Sequence, residues 1–194
     1  MTLIPFGRVA QLVTERASNP TFRLGLEGIE GGTGRLLDEV IGDYKGDGIA
    51  FAEGDVLFGK LRPYLAKSWV ATKPGEAVGD FHVYRPAGGL LPKFLGYSLL
   101  SRSFLDPVAA SVAGAKMPRT SWDFIRNVEL YAPPPPEQRA IADYLDRETA
   151  KIDTLIGKQE RLIETLRERA RRWCRIPSEP WRLHVGSCGE SLVF

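Results

Sequence analysis

Pro133-Pro134-Pro135-Pro136-Glu137-Gln138-Arg139, followed by AIADYLDRETAKIDTLIGKQERLIETLRERARRW through Trp173, divides the chain into two kinds of sequence. Each proline lacks an N–H and pushes its predecessor toward extended backbone, so the run stops any helix or strand that enters it. The 37 residues after it contain no proline and one glycine, Gly157. A stop followed by a long rod is an arrangement for holding something at a fixed distance.

The rod has a helical period. With Leu145 at heptad position a, that position continues through Ile152, Gln159, Leu166 and Trp173. Position d holds Ile141, Glu148, Leu155, Leu162 and Arg169, and position e holds Ala142, Thr149, Ile156, Ile163 and Ala170. The apolar stripe is therefore a/d/e, wider than a strict two-stranded seam. Arginines crowd its last turns, where the helix dipole favours positive charge. A helix over 137–173 spans roughly 55 Å at about 1.5 Å per residue. That exceeds the diameter of a domain of about 130 residues, so the overhang needs a second helix to cover it. Leu145, Ile152, Leu155, Ile156, Leu162, Ile163 and Leu166 are the expected dimerisation residues.

Upstream, residues 1–132 mix short strand-like runs with turn signals, and the expectation is a compact α+β domain with much loop. Ile49-Ala50-Phe51 and Val56-Leu57-Phe58 flank Glu53-Gly54-Asp55 as in a hairpin. FHVYR (Phe81–Arg85) and VELYA (Val128–Ala132) are further strands. Between them Pro92 opens a helix carrying Leu95, Leu99 and Leu100, which Pro107 is expected to end. Downstream, residues 174–194 have no period and read as an irregular tail.

Composition bounds the rest. With 43% hydrophobic and 26% charged residues, the 194-residue chain is globular. No run reaches the roughly 20 apolar residues of a membrane helix, and the N-terminus lacks a signal-peptide order, so no membrane role and a cytoplasmic location are expected. The cysteines, Cys174 and Cys188, both lie in the tail and form no disulfide framework for the main body. Charge is balanced: 15 basic against 14 acidic residues in 1–136, and 9 against 8 in 137–173. A phosphate-binding face must come from clustering, not from bulk charge.

Motifs for catalysis are weak. Gly54-Asp55-Val56-Leu57-Phe58-Gly59-Lys60-Leu61 nearly spells a phosphate-binding loop, but Leu61 replaces the magnesium-binding hydroxyl and the interior is apolar and strand-like. It reads as a structural hairpin. Gly31-Gly32-Thr33-Gly34 lacks the third glycine and following helix of a dinucleotide site, and no Asn-Pro-Pro-aromatic tetrad is present for base methylation. His82 sits in a strand and reads as a structural histidine, while Cys174, His184 and Cys188 lack zinc spacing. No cofactor and no metal are expected.

Two stretches carry another chemistry. Lys60, Arg62, Lys67 and Lys73 fall within 14 residues without an intervening acid, interleaved with Tyr64 and Trp69. Cations of this kind neutralise phosphates while aromatics pack on sugars or bases, although a solvated basic loop over two core aromatics fits the composition equally well. Gly114 to Trp122 adds Lys116 and Arg119, and is either part of the same face or an ordinary connection.

Four blocks in order, GLEGIEGGTG (Gly25–Gly34), GDVLFGKLRPYLAK (Gly54–Lys67), GAKMPRTSW (Gly114–Trp122) and PPPPEQRAIADYLDRETAKIDTLI (Pro133–Ile156), resemble the DNA-specificity subunit of type I restriction–modification enzymes. The likeness runs over about residues 5–173 and is most specific in the last block. It implies a target recognition domain at 1–132, a proline joint at 133–136 and a spacer helix at 137–173. It also implies a non-catalytic subunit that binds double-stranded DNA and recruits methyltransferase subunits and, through them, the restriction subunit. A full subunit carries two recognition domains and two spacer helices; this chain carries one of each, which implies a half-length subunit that homodimerises on a split, inverted-repeat site. The expected DNA contacts are Lys45, Lys60, Arg62, Tyr64, Lys67, Lys116 and Arg119, with the loops of Gly28–Gly48 as candidates for reading bases. The competing expectation is an assembly module that docks on methyltransferase subunits and binds DNA negligibly alone.

Overall fold

The computed structural model describes residues 3–16, 22–37, 48–112 and 117–174, with the side chains of 173 and 174 outside that description. They form two compact units that divide between Leu145 and Asp146.

In the first unit the strands are β1 (Leu3–Pro5), β2 (Ala10–Val13), β3 (Arg23–Leu24), β4 (Gly48–Phe51), β5 (Val56–Gly59), β6 (Ser68–Val70), β7 (Gly75–Val78), β8 (Phe81–Pro86) and β9 (Glu129–Tyr131). The helices are α1 (Phe6–Val9), α2 (Pro92–Leu100), α3 (Arg102–Ala110) and α4 (Trp122–Ile125), with 3-10 turns at Leu26–Gly28 and Pro63–Leu65. A four-stranded antiparallel sheet runs β2-β8-β5-β6, a mixed three-stranded sheet runs β3-β7-β4, and β1 pairs with β9.

Strand β5 explains the arrangement. A strand points alternate side chains to opposite faces. Val56 and Phe58 join the core that α1 to α4 cover, with Phe6, Tyr84, Leu95, Leu99 and Phe104. Leu57 joins a second core on the other face, with Phe51, Trp69, Ala77 and Val83, shared by the two larger sheets. Both faces are buried, so the run is apolar throughout instead of alternating. That is why Gly54–Leu61 imitates a nucleotide loop in letters and forms a central strand in fact.

Three local expectations are corrected. Strands β4 and β5 do not pair: β4 pairs with β7, and β5 with β6 and β8. The turn between them, with Gly54 at φ +86° and Ala52 N–H donating to the Asp55 carboxylate at 2.9 Å, carries the chain from one sheet to the other. The Pro92 helix ends at Leu100, and Pro107 lies inside α3. There Pro107 withholds one backbone donor, while its carbonyl still accepts from Ser111 N–H at 3.1 Å.

Finally, the long helix, α5, spans Pro135–Cys174, so it starts two residues before Glu137. Pro135 and Pro136 sit in its first turn, where their missing donors would have had no helical partner. Only Pro133 and Pro134 act as the stop. The chain is thus the mixed α+β domain with one long C-terminal helix that the sequence implies. Among the described residues no helix is long and apolar enough to cross a membrane.

Candidate nucleic-acid interface

The loop between β5 and β6 carries Lys60, Arg62, Tyr64 and Lys67, and it is stitched to the 117–120 segment. Lys60 O accepts from Thr120 N–H at 3.0 Å, Arg62 N–H donates to Pro118 O at 2.9 Å, and Leu61 bridges to Arg119. On its other side Gly32 N–H donates to Ala66 O at 2.9 Å. The blocks around Gly31, Lys60 and Arg119, far apart in sequence, therefore meet on one face.

The cations on that face differ. Arg119 forms a two-pronged pair with Asp80, Nε to Oδ1 and Nη2 to Oδ2, both at 2.9 Å. Its already high pKa rises further, first from that hydrogen bond and then from the carboxylate's charge. Lys60 Nζ lies 3.9 Å from the same Asp80. Lys67 Nζ donates to Leu26 O at 2.7 Å. Arg62 is exposed, and its guanidinium has no partner among the described residues. Lys73, also noted in the sequence, stands 3.8 Å over the Phe22 ring and serves packing. The expected contacts Lys45 and Lys116 lie outside the described residues, as do residues 38–47 of the Gly28–Gly48 loops.

Beneath the face lies His82 in β8. It is buried, Nδ1 is 3.0 Å from the Tyr84 hydroxyl, and its pKa is lowered to about 4 by burial and then by Lys60. A neutral imidazole bonded to a tyrosine is the structural histidine that the strand context implies. Two buried hydroxyls, Ser68 and Thr120, adjoin Lys67 and Arg119 and have no hydrogen-bond partner among the described residues.

Sequence reasoning missed Asp80, because the carboxylate stands 39 residues from Arg119 and no local spacing joins them. It also missed the anchoring role of Gln138 just after the proline joint. The Gln138 side chain is buried; Oε1 accepts from Leu91 N–H at 2.8 Å, and Nε2 donates to Pro133 O at 2.8 Å and Gly89 O at 3.3 Å. Beside it, the Glu137 carboxylate accepts from the Tyr131 hydroxyl at 2.6 Å. The Glu-Gln pair that follows the prolines is thus an anchor for the first turn of α5 on the first unit.

Along α5, Ala142 is buried and Ile141 packs on the first core. In the second unit Ile152, Leu155, Ile156, Leu162, Ile163 and Leu166 are 47–59% exposed. Leu145, at the division, is half-buried.

No protein-family model matches the chain. Over 105 residues it is 27% identical to the type I restriction enzyme EcoDI specificity subunit of Escherichia coli, a match covering 54% of this chain and 23% of that one. Its fold is similar to the HsdS subunit of Thermoanaerobacter tengcongensis, with 21% identity, a TM-score of 0.61, and coverage of 88% of this chain and 45% of that chain. It is also similar to a chain from a structure on complex assembly and conformational transition of the type I restriction–modification system. That match has 20% identity and a TM-score of 0.70, over 92% of this chain and 51% of that chain. The chain spans about half the length of these solved relatives. Over part of its length the chain is thus similar in sequence to a type I restriction enzyme specificity subunit, and over most of it the fold is that of the HsdS subunit.

Proposed function

We propose that this chain is a non-catalytic, half-length specificity subunit. Its first unit reads one half of a split DNA site, and its α5 helices pair two copies head to tail. Such a pair presents two identical recognition units and favours an inverted repeat. In this reading the pair recruits methyltransferase subunits and, through them, the restriction subunit.

The observation that carries it is the exposed stripe of the second unit. Six large aliphatic side chains repeat along one helix and are each about half exposed. Burying the remainder on both copies contributes on the order of 10 kcal/mol, at about 1 kcal/mol per half-buried side chain. Association costs about 4–15 kcal/mol, so the stripe offsets a cost of the same order and the remaining helix–helix contacts supply the surplus. Sedimentation velocity tests this directly: a dimer is expected at micromolar concentration, and a monomer there rejects the pairing.

For the DNA face, Arg62, Lys60, Lys67 and Arg119 approach phosphates. Arg62 is available as it stands, whereas Lys60 and Arg119 must exchange Asp80 for a phosphate. That exchange also favours the second reading, an assembly module with little DNA binding of its own. Fluorescence anisotropy with random duplex DNA at low salt separates the two. Micromolar binding that weakens steeply with salt supports the recognition subunit, and no binding supports the assembly module.

A further inference from the structure

The turn Pro63–Leu65 is held in a backbone that its sequence resists. Arg62 before it and Ala66 after it both have φ of 50°, the non-glycine residues in left-handed conformation among the described residues. L side chains disfavour that region, and it persists where the surroundings over-determine it. Here they do so from two sides. Pro118 O accepts from Arg62 N–H and Ala66 O accepts from Gly32 N–H, both at 2.9 Å. The 30–34 loop lies so close that a Cβ on Gly31 would meet the Leu65 carbonyl oxygen at 2.5 Å.

This enforced geometry leaves large side chains in water. Tyr64 is 56% exposed and Leu65 45%; Met117, on the segment joined to Arg62, is 55% exposed. Among the described residues neither the Tyr64 nor the Leu65 side chain belongs to either core. They stand between Arg62, whose guanidinium is unpaired among the described residues, and Lys67.

We propose that Tyr64 and Leu65 form an apolar wedge that unstacks a base step of duplex DNA while Arg62 holds the neighbouring phosphate. The inference rests on the reading of this face as a DNA-binding surface. Apolar side chains inserted at a base step kink a duplex, and an aromatic ring replaces the stacking that is lost. Pyrimidine–purine steps open most easily, so the wedge adds sequence preference at a position where no base edge is hydrogen-bonded. A turn already locked in its bound shape inserts without first losing conformational freedom.

The test starts by enriching duplexes from a randomised pool with the full-length protein, then replaces bases of the recovered duplex one by one with 2-aminopurine. Wild-type binding is expected to raise fluorescence several-fold at one step. The Tyr64→Ser, Leu65→Ser double variant loses that rise and weakens binding at least tenfold, with an unchanged salt slope because no cation is removed. Arg62→Ala does the reverse: the rise stays, and the slope falls by about one. Both wedge side chains are exposed, so melting temperature is expected to hold within about 2 °C; if it does not, the two single serine variants replace the double one. A bound duplex with no brightened step, or brightening that survives in the serine variants, overturns the wedge alone. If the wild type binds neither selected nor random duplex at low salt, the wedge and the DNA-binding reading fall together.

Discussion

The two stretches of α5 follow one heptad pattern and meet opposite fates. In the first, Gln138, Ile141 and Ala142 are taken up by the domain that precedes them. In the second, the same stripe continues from Ile152 to Leu166 and stays about half exposed among the described residues. The sequence pattern is continuous across the division, so periodicity alone does not say which apolar residues a domain satisfies and which it leaves for a partner. Domain size decides that: about 130 residues cannot wrap a helix of 40, which at 1.5 Å per residue spans about 60 Å.

The comparison can be broken most sharply from the exposed side. Replacing Ile152, Leu155 and Leu162 together with glutamate puts three charges on each helix of the proposed interface. The dimer is expected to weaken by more than 1000-fold, over about 4 kcal/mol, by sedimentation equilibrium. The melting temperature of the first unit should stay put. A dimer that survives means that the stripe is not the seam.

Acid should act on the covered side. His82 has its folded pKa near 4 against 6.5 when free, so the folded state disfavours its charged form. Its contribution to stability is complete above pH 6.5 and is lost as pH falls from there toward 4. At about 1.4 kcal/mol per pH unit, the loss is on the order of 3 kcal/mol. Urea unfolding followed by tryptophan fluorescence, in wild type and His82→Asn, measures it; equal pH slopes in the two proteins would remove the assignment.

The anchor gives a smaller effect. Gln138→Ala removes three hydrogen bonds and strands a half-buried donor at Leu91 and a buried acceptor at Pro133. A loss of about 2 kcal/mol is expected, near 5 °C in Tm by calorimetry. Gln138→Glu should be no better, because a carboxylate has nothing to donate to Pro133 O. Rescue by glutamate would show that the Nε2 bonds contribute little.

The smallest effect concerns the charged face. Asp80→Asn frees Lys60 and Arg119 from their carboxylate, and affinity for random duplex should rise about tenfold with a steeper salt dependence. An unchanged slope would mean that these two cations never meet phosphate.

Much of this was legible beforehand, for stated reasons. Long periodic signals survive tertiary context, so α5 and its stripe were readable, as were β8 and β9 from their β-branched and aromatic runs. Partners were not. Short apolar runs mark β4 and β5 as strands but carry no information on pairing, and the short turn between them suggests a hairpin where the chain changes sheets. Pro107 reads as a stop in the sequence yet lies inside α3, because one missing donor is tolerable inside a packed helix. In the site, the cations were readable as a cluster, but Asp80 was not. Nor was the left-handed backbone at Arg62 and Ala66, since residues that disfavour that conformation give no warning of it.

Gln138 has one further consequence. Its amide carries no charge at any pH, so the three bonds that seat α5 on its domain are insensitive to ionic strength. If the cations around Lys60 hold phosphates as proposed, that attraction is one that salt weakens. A rise in salt would then loosen the proposed contact with a polyanion while the seat of the helix's first turn stays as it is, so that release would not cost the protein its anchor.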